Sequence, residues 1–188
     1  IVMDTSDIQL PGVHNIENYL AAIAAVDGMV SDEIIRDFAR TFGGVEHRIE
    51  LIRTLDGVRW YNDSIASSPS RTIAGLRSFP EKVVLIAGGK DKGISYDSLG
   101  PVVNDHVKLL ILCGATAGVI RRAVEQAPNY AGLEIFDVAD YEEAAALARS
   151  RTQPGDVVIL SPASTSFDRF ANFMERGRVF KDVVNRLQ

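Results

Sequence analysis

The stretch KVVLIAGGKDKG, residues 82–93, decides the fold. Its first half holds Val83, Val84, Leu85 and Ile86 in a row with no polar position between them. A strand covered on both faces requires such a run, because neither face meets water. Its second half, glycine-rich and charged, reads as the loop at that strand's carboxyl end. The same grammar recurs downstream, with strands at 107–113, 133–138 and 156–160 alternating with helices at 98–104, 117–127 and 140–150. A last helix is expected to begin directly after the hydroxyl-rich turn of SPASTSFDRFANFMERG, residues 161–177, with Phe167, Phe170, Phe173 and Met174 on its apolar face. The pattern predicts an α/β fold with a doubly wound, mostly parallel sheet.

Working back from that core, 49–55 and 58–62 read as two strands joined by Asp56-Gly57, a dipeptide suited to a two-residue hairpin turn. A helix is expected over 70–77. The sheet domain therefore opens with an antiparallel hairpin and spans about 45–188. Residues 1–42 read differently, as the end of a strand over 1–10 and two helices. The first helix lies in PGVHNIENYLAAIAAVDG, and the second starts at Ser31 as N-cap, with Ile34, Ile35, Phe38 and Phe42 inward. A strand and two helices cannot enclose a core, so this piece is expected to pack on something else. With Ile1 in place of Met, the chain reads as part of a longer protein, and Gly43-Gly44 as its hinge.

Composition narrows the function classes. Of 188 residues, 46% are hydrophobic and 24% charged, and the net charge of -5 comes without a long run of either sign. A nucleic-acid surface would show a basic stripe, so no nucleic-acid partner is expected, whereas a nucleotide ligand needs only a few donors. Cys113, the single cysteine, ends the apolar run 107–112 and reads as a core thiol in a reducing compartment. No metal-ligand spacing is visible, and no apolar stretch approaches the roughly 20 residues that span a bilayer. A cytoplasmic protein with no membrane partner is expected.

In doubly wound sheets ligands bind beyond the carboxyl ends of the strands. That rule selects NDSIASSP (62–69), AGGKDKG (87–93), CGATAG (113–118) and SPASTSFD (161–168). Neither G-x-x-x-x-G-K-[ST] nor G-x-G-x-x-G occurs, so a self-contained P-loop ATPase or a dinucleotide oxidoreductase is not supported. Lys90 or Lys92 could meet an anion or be solvated. Arg48, next to His47, could fork onto phosphate or carboxylate, or sit in a linker. Asp63 could accept from a ribose hydroxyl or cap its turn. Asn15 and Asn18, three apart, share a helix face and could read a base edge or cap the helix. The serines of 161–166 could place an anion on a helix N-terminus, or merely cap it.

Taken together, GVHNIEN, HRIE, WYNDSIASSP, LIAGGKDKG and LSPASTSFDRFANFMERG, in this order, resemble the Mur ligases, ATP-dependent amide-forming enzymes of peptidoglycan synthesis. The resemblance is strongest to the branch that joins D-glutamate to UDP-N-acetylmuramoyl-L-alanine. It implies that 1–42 is the tail of the central ATP-binding domain and 43–188 the Rossmann-like C-terminal domain. The P-loop and the Mg2+ ligands would lie in a part this sequence does not contain, so these residues alone are expected to be inactive. It further implies that Asn15 and Asn18 contact the adenine of ATP, and that His47, Arg48 and Asp63 serve its ribose and phosphates. Ser67, Lys92, Ser166, Phe167 and Phe173 would line the D-glutamate site, the last two through backbone. Arg48 and Lys92 would carry catalysis as charge stabilisers, and a monomer is expected.

Two departures bear on this. The family's loop commonly reads DSKATN, but Ile65 and Ser67 stand here where it has Lys and Thr. Ser67 keeps a hydroxyl, while Ile65 supplies no charge and is left out of the site. The Asp-Asn-Pro-Arg sequence of the diaminopimelate-adding branch is absent. A folylpolyglutamate synthase-like ligase and a non-catalytic nucleotide or amino-acid binding module are the alternatives.

Overall fold

The computed structural model describes residues 2–10 and 12–188 and divides the chain into two units, one ending at Val45 and the other running from Glu46 to Gln188. Ile1 and Pro11, which the sequence reading placed in the first strand and at the first helix, lie outside the described residues. The N-terminal unit holds helices α1 (Val13–Ala25) and α2 (Asp32–Thr41), the second capped by Ser31, whose hydroxyl accepts from Ile34 N. Two expectations fail in this unit. Where a strand was expected over 1–10, a single 3-10 turn covers Thr5–Asp7, because the Asp4 carboxylate accepts from both Ser6 N and Ser6 Oγ and so bends the chain locally. Ile34 and Phe38, expected inward, are 60% and 53% exposed, and Ala39 is the fully buried residue of α2.

The C-terminal unit is built on six strands in the order β1-β2-β6-β3-β4-β5. They are β1 (Glu50–Leu55), β2 (Val58–Asn62), β3 (Val83–Ala87), β4 (Val107–Cys113), β5 (Glu134–Val138) and β6 (Val157–Leu160). Only β1 and β2 are antiparallel; the other pairings are parallel. Their turn is Asp56-Gly57, with φ of 49° and 80°, the left-handed pair that a two-residue hairpin needs. Helices α3 (Pro69–Leu76), α4 (Leu99–His106), α5 (Ala117–Glu125), α6 (Tyr141–Ser150) and α7 (Phe173–Arg186) complete the unit.

Alternation along each strand divides the core in two. Val83, Leu85 and Ala87 point to one face, with Leu110, Leu112 and Ile159, and are covered by Leu76, Leu99, Val103, Ile120 and Val124 of α3, α4 and α5. Val84 and Ile86 point to the other, with Trp60, Ile111, Val158 and Leu160, and are covered by Tyr141, Ala144, Ala148, Phe180 and Val184 of α6 and α7. Helices on both faces are what the unbroken apolar runs demand. The doubly wound sheet with an antiparallel hairpin at its start is the observed architecture.

Helix α7 begins later than expected. Its N-cap is Asn172, whose side chain accepts from Glu175 N at 2.9 Å, while Glu175 Oε2 accepts from Ala171 N at 2.7 Å. This reciprocal pair fixes the start. Residues 161–171 are instead a loop in which Phe167 is 62% exposed and Phe170 stacks on Tyr141. The serines are therefore not at the helix N-terminus, and neither the capping nor the helix-dipole reading of them holds.

Central sheet positions dominate stability on this geometry. Leu110→Ala should lower the unfolding free energy by about 2–5 kcal/mol in denaturant titration. Leu51→Ala, at a half-exposed position of β1, should stay within about 0.5 kcal/mol.

Candidate functional site

The crevice between β3 and β6 is filled by the chain itself. Gly88 N donates to Pro162 O at 2.9 Å, and Lys90 and Thr165 exchange backbone bonds at 2.9 and 3.2 Å. Gly88 and Gly89 permit this approach, since a Cβ would meet Cys113 O at 2.1 Å on the first and Thr165 O at 2.2 Å on the second. The loops after β2, β3, β4 and β6 are thereby knitted into one rim, as the four selected stretches require.

Most hydroxyls of this rim are consumed by the fold. Ser161 Oγ donates to Asp63 Oδ2 at 2.7 Å. Ser164 Oγ lies 2.9 Å from Tyr96 Oη and 2.8 Å from Thr116 Oγ1, and Thr116 Oγ1 accepts from Gly89 N at 3.0 Å. Thr165 Oγ1 donates to Lys90 O at 3.0 Å. Ser166 is different. Among the described residues its hydroxyl has no hydrogen-bond partner although the residue is only 3% exposed, and it is not among the side-chain atoms sealed from solvent without a partner.

A residue that the sequence reading missed joins these loops. Arg176 of α7 is 1% exposed, and its guanidinium donates to Ser64 Oγ (3.0 Å), Ser64 O (2.8 Å) and Ser164 O (3.0 Å). Ser64 Oγ in turn donates to Phe173 O at 2.7 Å. Burial makes the charged form of Arg176 harder to hold, lowering its pKa, and among the described residues no carboxylate hydrogen-bonds to it. Only the ERG of the last motif hinted at it, and a helical Arg reads by default as solvated.

The segment His47-Arg48-Ile49 is strained. His47 and Ile49 have φ of 69° and 46°, which for a β-branched residue is an outlier held only by its surroundings. Those surroundings are explicit: His47 N donates to Glu50 Oε2 (2.9 Å), Ile65 N to His47 O (3.2 Å) and Ile49 N to Asp63 Oδ1 (3.3 Å). The His47 ring is buried against Phe173 and Gly177, with Nδ1 2.8 Å from Asn62 Nδ2. Arg48 alone of the three is exposed. Its guanidinium makes no hydrogen bond or ion pair among the described residues, and its charge reaches Asp63.

Glu46, His47 and Glu50 bring three metal-type ligands within 4.8 Å of one another. Asn62 Oδ1 accepts from Ser64 N, so the Asn62 amide NH2 faces His47 Nδ1 and the ring proton sits on Nε2. A protonated Nε2 cannot ligate, and Lys181 Nζ already pairs with both carboxylates. The cluster therefore reads as a structural ion-pair group.

The remaining expected residues fall on the rim or away from it. Lys92 is exposed and Ser67 half-buried, while Phe173 opens α7. Asn15 and Asn18 share a face of α1, with Asn18 Nδ2 3.5 Å from Asn15 Oδ1, in the N-terminal unit. A cavity of about 620 Å³ lies beside the rim, against Gly114, Arg121, Asp137, Asp168 and Arg169. A second of about 250 Å³ reaches Cys113, whose thiol pKa burial pushes up. None of Ser67, Lys92, Ser166 or Phe173 lines either cavity.

An α/β domain with a convergent polar rim at its strand ends is the usual setting of a small-ligand site. Residues 47–164 match the family described as Mur ligase, glutamate ligase domain. The chain belongs to the Mur ligase family. It is 54% identical over 191 aligned positions to a UDP-N-acetylmuramoylalanine–D-glutamate ligase of Acetivibrio thermocellus, covering 100% of this chain and 41% of that one. A protein of the same name from Symbiobacterium thermophilum is 51% identical over 187, with 99% and 41% covered. The chain thus spans about two fifths of the length of these relatives. Among solved structures, a Mycobacterium tuberculosis folylpolyglutamate synthase complexed with ADP shares the fold with a TM-score of 0.68 at 14% identity, covering 96% of this chain and 42% of that one. A murein peptide ligase of Psychrobacter arcticus does so at 0.57 and 18%, covering 96% and 39%.

Asp63 gives a pH-dependent signature. Burial, against the opposing hydrogen bonds from Ser161 and Ile49 N, pushes its carboxyl up to about 7. The folded state then holds a proton that the unfolded state has released, so this group's contribution to stability falls as pH rises from about 4 to about 7 and is flat above. Thermal midpoints taken between pH 5 and pH 8 should fall more steeply for the wild type than for Asp63→Asn; parallel curves would contradict this ionisation.

Proposed function

We propose that the chain is the C-terminal part of an ATP-dependent carbon–nitrogen ligase that joins D-glutamate to UDP-N-acetylmuramoyl-L-alanine in peptidoglycan synthesis. The observation that carries the reading is the Ser166 hydroxyl, the one in its motif that the fold leaves without a partner. The names of relatives about half identical over the full chain support the same substrate.

In this reading Ser67, Lys92 and Ser166, with the backbone of Phe167 and Phe173, hold D-glutamate. Lys92 meets a carboxylate as a point charge, and Ser166 donates or accepts beside it. ATP, with Mg2+ held elsewhere in the whole protein, supplies activation of the muramoyl-alanine carboxylate. The donor set fits an anionic phosphate chain: Arg48 and Lys92 are exposed cations with no ion pair among the described residues. Of the three residues expected to serve ribose and phosphates, Arg48 is assigned the direct contact. His47 and Asp63, both buried, hold the strained turn that carries it. Asn15 and Asn18 are assigned the adenine. Catalysis by these residues is orientation and charge stabilisation, since none has to act as a nucleophile. Both nucleotide substrates belong to the cytoplasm, which is where the reaction is placed.

The test is phosphate release by the full-length protein with ATP, UDP-N-acetylmuramoyl-L-alanine and either D-glutamate or L-glutamate. Release that depends on D-glutamate is expected; no release with this mixture, but release once a folate and L-glutamate replace the muramoyl substrate and D-glutamate, would favour a folylpolyglutamate synthase-like enzyme. Lys92→Ala should raise the D-glutamate KM by a factor corresponding to about 1.5–3 kcal/mol, and Ser166→Ala by about 0.5–1.5 kcal/mol. An unchanged KM in either variant removes that residue from the site.

A further inference from the structure

Arg176 is buried on a helix that no expected ligand residue other than Phe173 occupies, and its surroundings are unusual for a cation. All three of its acceptors are neutral: Ser64 Oγ, Ser64 O and Ser164 O. The charges and titratable groups that face it are Tyr141 of α6 and Asp168 of the rim loop, and neither hydrogen-bonds to it. Holding an ionised group out of water without a bonded counter-charge is costly. A shorter neutral side chain could satisfy some of these acceptors without that cost.

What the guanidinium does provide is a rigid fork with donors in fixed directions. Nη1 holds Ser164 O, two residues before Ser166. Nη2 and Nε hold Ser64, three residues before Ser67, and Ser64 Oγ is tied to Phe173 O. One planar group therefore ties the loop after β2 to the loop after β6 and, through Ser64, to the start of its own helix. Each of these segments carries a residue assigned to the amino-acid acceptor. The charge itself, not neutralised by a bonded carboxylate, biases the rim toward an anionic guest.

We infer that Arg176 is a positioning residue for the amino dicarboxylate acceptor: it fixes Ser67, Ser166 and Phe173 relative to one another and lends its charge to the carboxylate they bind. The inference rests on the acceptor-site reading above. It places the residue behind the site, with no contact to substrate.

The experiment compares wild-type, Arg176→Lys, Arg176→Gln and Ser64→Ala forms of the full-length enzyme, measuring KM for D-glutamate, KM for ATP, kcat and thermal midpoint. Arg176→Lys keeps the charge and loses the fork; its D-glutamate KM should rise about tenfold or more, with the ATP KM within about twofold. Arg176→Gln loses both and should rise further. Ser64→Ala, which keeps the guanidinium and removes one acceptor and the link to Phe173, should fold and show a smaller rise of about threefold to tenfold. Its result decides the matter if the Arg176 variants do not fold. A D-glutamate KM within about twofold of wild type in the folded variants, or parallel rises for ATP and D-glutamate, would overturn the inference, because a purely structural residue predicts those outcomes. A wild type that does not respond to D-glutamate overturns the functional reading and the inference with it. A responding wild type beside unchanged variants overturns the inference alone.

Discussion

Polar satisfaction inside the β3–β6 crevice is the constraint on which the rest of this domain depends. The loop after β6 carries four hydroxyls and a peptide backbone into a space walled by buried strands, and every one of those groups has to find a partner or face a ligand. Asp63, Tyr96, Thr116 and Lys90 O receive the side chains, and Arg176 receives the carbonyl of Ser164. These partners come from four different segments. Their agreement on one geometry turns a row of flexible surface loops into a rim with fixed spacing, which positioning chemistry needs.

Strain and burial are distributed consistently with that role. The left-handed backbone at His47 and Ile49 costs free energy, and it is held by Asp63, Glu50 and the packing of the His47 ring against Gly177. The product of that arrangement is a single exposed cation, Arg48, on a turn that cannot relax. Asp63 itself sits between this turn and Ser161 of the β6 loop, so one buried carboxyl couples the two sides of the site.

Much of the architecture was legible because it rests on local pattern. Val83 to Ile86 could only be a strand covered twice, and Asp56-Gly57 could close the hairpin because both positions tolerate left-handed backbone. What failed were the places where a local pattern competed with a longer-range one. The phenylalanines at 167, 170 and 173 have helical spacing, yet the Asn172–Glu175 cap sets the true start and leaves Phe167 in solvent. That spacing of Asn and Glu was available in the sequence as a signal. Most partners of Ser161, Ser164 and Arg176 were not, because Thr116, Asp63 and Ser64 lie about 50 to 110 positions away and hydrogen bonds of that range follow only from the assembled sheet. Hence the four loops were identified, while the division between hydroxyls bonded within the fold and the one left unbonded required the structure.

The strand order has a consequence for how the chain is made. β6 lies between β2 and β3, pairing Val158 with both Trp60 and Val84, although it is the last strand synthesised. Until residues 157–160 leave the ribosome, β2 and β3 are two unpaired apolar edges separated by a one-strand gap. A nascent chain in that condition offers any extended apolar segment a place to insert. The vacancy closes only when β6 enters it, and the loop and helix that follow then seal it from the far side. Synthesis that stalls shortly before residue 157 would release a species with its sheet split in two and its edges open, a form suited to chaperone capture and to aggregation.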